Sequence, residues 1–237
     1  MKPEFPIFVI LACLMSLLAG CAAGPAPAPS GDDRALLERR ALTLIDEGRF
    51  REAAQEYLRL ARTNDAPLSH EFVLSAGRAL IEEGDLAASR RLVDDVLPSK
   101  LDPVLEFRRT MLRAEILLAE QRPYDALSLL PPTLAASAPA SLTFAIGDLR
   151  ARALHGGGQY MASIRERISL ENETSDANDA ARNRQRLWAS VSRLSPAELN
   201  ESRPPPPNPL GGWLELGVIV SNLMFDPAAL DRELEIW

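Results

Sequence analysis

Small and apolar positions recur along this chain at a fixed spacing. The stretches ALTLIDEGRFREA (41–53), GRALIEEGDLAAS (77–89), AEILLAEQRPYDA (114–126) and ARALHGGGQYMAS (151–163) repeat one pattern, with steps of 36, 37 and 37 residues between copies. A small residue opens each copy (Ala41, Gly77, Ala114, Ala151), and a Leu follows (Leu44, Leu80, Leu117, Leu154). A turn residue comes next (Gly48, Gly84, Gln121, Gly158), and a second small residue closes the copy (Ala53, Ser89, Ala126, Ser163). Two short antiparallel helices approach closely only where small side chains face each other, and a Gly ends the first helix in a left-handed conformation that a β-carbon resists. The spacing therefore predicts about four helix pairs over residues 32–172. Phe50, Leu86, Tyr124 and Tyr160, just after the turns, are expected to fill the groove between helices.

Helix starts are written independently of the repeat. Asp102-Pro103, Ser195-Pro196 and Asp226-Pro227 each place a capping side chain before a proline at the first helical position, and Ser195 with Glu198 spells a capping box. The segment ARNRQRLWASVSRLSPAEL (181–199) predicts a helix with Leu187, Trp188, Val191 and Leu194 on one stripe. Residues 173–237 are read as C-terminal helices of the same domain. The four copies resemble the tetratricopeptide repeat, whose period is about 34 residues. The longer period here, and Gln121 in place of a turn Gly, imply an irregular all-α superhelix; the alternative is chance similarity within an Ala/Leu-rich helical bundle.

The chain opens differently. Residues 1–20 read as a secretory signal, with Lys2, an apolar run from Ile7 to Leu18, then Ala19 and Gly20. Leu18-Ala19-Gly20-Cys21 resembles the bacterial lipobox, which implies diacylglycerol on the Cys21 sulfur and cleavage just before it. The bland alternative is a buried Cys21, or one paired with Cys13, the only other cysteine. Residues 21–31 alternate Pro with small residues and predict an extended tether reaching roughly 30 Å. Ala22, rather than Asp, after the lipidated cysteine resembles the sorting pattern for the outer membrane, with the body on the periplasmic face.

Composition narrows the partners. With 26 Lys+Arg against 33 Asp+Glu the net charge is −7, and no basic run stands beside aromatic residues, so nucleic acid is not expected as a partner. Sparse aromatics (5%) with abundant Ala, Leu, Arg and Glu favour helix. The apolar stretch 214–225 is too short for a bilayer span and carries Glu215.

Candidate chemistry is thin. The run HGGG (155–158) resembles oxyanion-hole sequences of some esterases, but the chain holds no G-x-S-x-G, and Gly158 matches the turn positions of the other copies. His70 and His155 are the only histidines, and neither sits in a Cys/His or His/carboxylate cluster, so no metal, cofactor or catalytic residue is expected beyond covalent lipid on Cys21. The pairs Glu82-Glu83 and Asp94-Asp95 read as solvated helix faces, and the proline run 204–207 as a spacer rather than a ligand.

The C-terminal quarter carries the family resemblance. Asn183, Leu187, Trp188 and Val191, followed by Gly212-Trp213-Leu214-Glu215-Leu216, are similar to the N-terminal domain of LppC/LpoA-type lipoproteins. Lipobox, tether and helix pairs stand in the same order in that family. The resemblance implies a non-enzymatic, lipid-anchored scaffold at the outer membrane that regulates peptidoglycan synthesis by activating a class A penicillin-binding protein. It further implies a second domain beyond Trp237, of which this chain would be the preceding part, or else a repeat-only relative. The competing reading is a generic repeat lipoprotein that holds envelope proteins during assembly.

Overall fold

The computed structural model describes residues 31–97, 101–132, 139–171, 173–174, 176–205 and 207–225. The signal, Cys21, the tether up to residue 30 and the Asp226-Pro227 start lie outside the described residues. Four helix pairs come first: α1 (Gly31–Asp46) with α2 (Phe50–Thr63), α3 (Leu68–Glu83) with α4 (Leu86–Asp95), α5 (Pro103–Ala119) with α6 (Pro123–Leu129), and α7 (Ala140–Gly156) with α8 (Tyr160–Leu170). Three helices follow, α9 (Ala177–Val191), α10 (Pro196–Glu201) and α11 (Pro209–Phe225), and no strand is present among the described residues.

Every pair turns in the same way. Gly48, Gly84, Gln121 and Gly158 have φ of 71°, 86°, 61° and 75°. At each, the turn amide donates to the carbonyl three residues back, and the next amide donates to the carbonyl five back, on Leu44, Leu80, Leu117 and Leu154. This is the Schellman arrangement, which satisfies carbonyls that a helix end otherwise leaves bare. The Leu of the repeat is thus both the acceptor of the long bond and a core residue, since all four are buried.

Close contact between paired helices follows from the small residues. Ala41, Ala53, Ser89, Ala114, Ala126, Ala151 and Ser163 are all fully buried. In two pairs the closing residue is Ser, and its hydroxyl donates across the interface to the opening residue's carbonyl: Ser89 to Gly77 and Ser163 to Ala151, each at 2.8 Å. A β-carbon on Gly77 would lie 2.9 Å from Val93 Cγ2, so α3 and α4 could not pack this closely with any larger residue there.

The residues after the turns depart from the expected groove filling. Phe50, Leu86 and Tyr160 are half-buried and Tyr124 is 62% exposed. Tyr124 instead lies against the next turn, where its hydroxyl donates to the Gly157 carbonyl at 2.7 Å. A phenol keeps its oxygen near water more cheaply than it buries it, so at the third pair Tyr124 leaves the close approach to the small residues Ala114 and Ala126.

The core is a row of clusters rather than one centre, as stacking of short units requires. Ala53, Ala76 and Leu80 form one cluster, Leu74, Val93 and Ile116 the next, Ala114, Leu130 and Leu149 a third. Ile164, Leu187, Val191, Leu199 and Leu214 close the row, so α9, α10 and α11 cap the stack. Caps are in place: Asp102 accepts from the amides of Val104 and Leu105 at 2.9 and 3.0 Å, and Ser195 and Glu198 form the reciprocal capping box. Helix α9 ends at Val191, so Leu194 reaches the last cluster from a turn and not from the helix stripe.

Candidate functional site

The first helices of successive pairs, α3, α5 and α7, stack on one another, and with α9 they line an open groove of about 1370 Å³. Its wall mixes half-buried apolar side chains, among them Met111 and Phe144, with a dense set of charges. Arg78, Glu115 and Arg152 each follow the opening small residue of their copy; the corresponding residue in the first copy is Leu42, 57% exposed.

Ion pairs join successive lining helices at the repeat period. Arg78 pairs with Glu115, and Arg108 with Glu71 at 2.8 Å, both 37 residues apart. Arg186 bonds both oxygens of Asp148, 38 residues away, at 2.6 and 2.7 Å. Such pairs fix how one lining helix sits on the next, a geometric role more than a large stabilisation for half-exposed groups. None of these residues stood out in the sequence, because opposite charges one period apart become partners only once the helices are stacked.

Asp148 is the focus of the network. Besides Arg186, it meets Arg167 at 3.1 Å and Arg152 at 4.0 Å. Burial pushes its carboxyl up, but the hydrogen bonds and charge of Arg186 and Arg167 prevail and hold it below the ordinary carboxylate range. Arg167 is 1% exposed and also donates to Asn183 Oδ1 at 3.1 Å, while Asn183 Nδ2 returns a bond to the Arg167 carbonyl at 2.8 Å. Burial lowers the Arg167 pKa; Asp148 opposes this, and Arg186 and Arg152 add repulsion to the lowering. Glu115 is raised by burial, against the opposing charges of Arg78 and Arg152.

His155 lies beside this cluster. Its Nδ1 is 2.9 Å from Ser190 Oγ, and its ring packs edge-on against Tyr160. Burial lowers its pKa, and Arg167 and Arg193 repel its proton further. A Ser/His contact invites a catalytic reading, but Ser190 is fully buried, with its Oγ also 3.2 Å from Ser163 Oγ and 3.3 Å from the Arg186 carbonyl. The glycines offer no oxyanion hole either. The amides of Gly157, Gly158 and Gln159 all donate to helix α7 carbonyls in the turn. Among the described residues no three His, Cys, Asp or Glu side chains gather as a metal would require, and no helix is long and apolar enough to cross a membrane.

The C-terminal motif residues divide by role. Asn183, Leu187 and Val191 are buried, Trp188 and Trp213 are half-buried against the last cluster, and Leu214 is fully buried in it. Gly212 is exposed, and a β-carbon there would meet nothing within 4 Å. Gly211 carries the packing constraint instead, since its β-carbon would stand 2.7 Å from the Pro204 carbonyl oxygen. The described prolines of the 204–207 run lie directly before α11, with Pro204 held against its first turn.

Stacked antiparallel helix pairs with small residues at their crossings and a groove along their first helices define a tetratricopeptide-like repeat scaffold. Solved structures share this fold: the LpoA N-terminal domain from Haemophilus influenzae (TM-score 0.63, 20% identity, covering 78% of this chain and 83% of that one) and the E. coli LpoA amino-terminal domain (TM-score 0.60, 22% identity, 78% and 82%). The LppC putative lipoprotein model matches residues 51–237, and the chain belongs to that family. Among curated relatives, the penicillin-binding protein activator LpoA of Vibrio cholerae is 26% identical over 185 residues, 78% of this chain and 30% of that protein. The protein of the same name from Edwardsiella ictaluri is 27% identical over 190 residues, 78% of this chain and 27% of that protein. The chain therefore spans less than a third of the length of these relatives, in the region of their N-terminal domain.

Proposed function

We propose that this chain is the helical-repeat portion of a lipid-anchored activator of a class A penicillin-binding protein, working from the periplasmic face of the outer membrane. The observation that carries the reading is the LppC family match over residues 51–237, together with relatives named penicillin-binding protein activators. Cys21 is the anchor in this reading, with Leu18, Ala19 and Gly20 as its recognition sequence, and residues 21–31 are the tether. Two or more acyl chains at Cys21 would make membrane attachment stable, at about 0.8 kcal/mol per buried methylene. The repeats then act by presentation: rigid stacking holds whatever follows or binds at a set distance from the membrane. Catalysis has no part in this role.

The test is made in the source cell. Deleting the gene should lower incorporation of labelled precursor into peptidoglycan, wild type should restore it, and Cys21→Ser should move the protein out of the membrane fraction and fail to restore it. Unchanged incorporation on deletion would refute the activator role. The groove favours a second reading, a scaffold that holds other envelope proteins; crosslinking to such proteins, with synthesis unaffected, would be its signature.

A further inference from the structure

Three positions by which a first helix meets the preceding pair recur every 37 residues: Phe72, Ser75 and Ala79 in α3, Arg109, Leu112 and Ile116 in α5, Ile146, Leu149 and Ala153 in α7. The same step reaches Asn183, Arg186 and Ser190 in α9. The earlier helices carry at most one polar residue in this set, and α9 carries three. Its joint with α7 and α8 is therefore polar: Asn183 accepts from Arg167, Arg186 donates to Asp148, and Ser190 meets both His155 and Ser163. Arg167 Nε is buried in this joint with no partner among the described residues, a cost that entering water would relieve. Beside the network, Ile164, Leu187 and Val191 keep apolar contact. The joint thus has a dry edge about which α9 can turn and a polar edge that water can enter.

We propose that the unit of α9, α10 and α11 is hinged on the repeat stack at this joint, and that uptake of a proton by His155 opens it. A neutral imidazole can accept the Ser190 hydroxyl at Nδ1, whereas the protonated ring has only donors, so Ser190 must turn its hydrogen toward Ser163 or the Arg186 carbonyl. The new charge meets like charge. Arg167 of α8 and Arg193 in the turn after α9 act on the ring, Tyr160 packs against its edge, and Arg152 and Arg186 line the same wall. From α6, Pro123 and Tyr124 approach this end of α7, and neither is charged. The acids of the packed helices are committed: Asp148 is shared by three arginines, Glu115 pairs with Arg78, Glu166 with Arg150 and Asp179 with Arg182. The closed joint therefore favours the neutral ring, while an opened joint places it in water, so the open form gains as pH falls. In the presentation role, opening would re-aim the C-terminal helices relative to the anchored end; the joint itself does not depend on that role.

The experiment is pulsed electron spin resonance between nitroxide labels on the full chain in non-ionic detergent, with Cys13 and Cys21 replaced by Ser. Labels at the exposed positions Gln55→Cys and Gln185→Cys span the joint, and Gln55→Cys with Arg165→Cys lie on the stack side of it. As pH drops below neutrality the first distance should move by at least about 3 Å, the width of one layer of water, while the second stays and circular dichroism shows the helices retained. His155→Gln should hold the neutral-pH distance throughout, and His155→Arg, charged at every pH, should show the acid distance at neutral pH. A distance across the joint that ignores pH, an equal change within the stack, a response that survives in His155→Gln, or a change that comes only with lost helicity would each overturn the proposal.

Discussion

Replacing Gln121 by Gly should stabilise the protein, although it inserts the residue with the greatest freedom to lose. Gln121 occupies the left-handed turn position at φ 61°, where the other three copies carry Gly48, Gly84 and Gly158. A residue with a β-carbon is disfavoured there by about 1–2 kcal/mol. Against this stands the greater unfolded-state entropy of Gly, about 0.4–1 kcal/mol. The side chain of Gln121 is exposed, so few contacts are lost, and the net gain is about 0.5–1 kcal/mol. Gly84→Ala runs the same balance backwards, because a β-carbon at Gly84 meets nothing within 4 Å and only the backbone resists it. Urea unfolding followed by circular dichroism is the assay. With a slope of about 1–3 kcal/mol per molar, the two midpoints should move in opposite directions by a few tenths of a molar at unchanged slope. A Gln121→Gly midpoint equal to or below wild type, with Gly84→Ala destabilised, would refute the strain argument at position 121.

Other outcomes follow from the same geometry. Gly211→Ala should cost about 1–3 kcal/mol through its clash with the Pro204 carbonyl, whereas Gly212→Ala should be neutral or gain up to about 1 kcal/mol; thermal unfolding distinguishes the two. Ser89→Ala should cost about 1 kcal/mol for its lost bond to Gly77, while Ser89→Leu should abolish folding of the α3/α4 pair, read as lost helicity. Burial and the nearby Arg167 and Arg193 hold the His155 pKa below the ordinary imidazole value, so its contribution is full above that value and is lost as pH falls through the lowered one. His155→Gln should therefore flatten the fall in urea midpoint as pH drops below neutrality, and an unchanged slope would count against this. Asp148, also lowered, adds its loss at more acid pH, while Glu115, raised by burial, gains as it is protonated.

Much of this fold is legible in one sequence because the repeat is written in residue size. Small residues at fixed spacing can serve only a close helix crossing, and a turn seven positions on can serve only a helix end, so helix pairs, turns and caps are local consequences of local letters. Gln121 shows the limit of that reading: the spacing marked its position as a turn, but its positive φ came from the Schellman bonds that Leu117 and Leu118 accept, against the residue's own preference. Which glycine of the C-terminal segment is tightly packed was not legible, because Gly211 and Gly212 look alike until Pro204 is set beside one of them. The groove network was beyond local reading for the same reason. Arg78, Glu115, Asp148, Arg152 and Arg186 look like ordinary solvated helix charges, and only stacking places residues 37 and 38 apart within bonding distance. Size and turn chemistry act over a few residues and are determined by the sequence alone; charge pairing across repeats depends on how the helices stack, which only the tertiary structure decides.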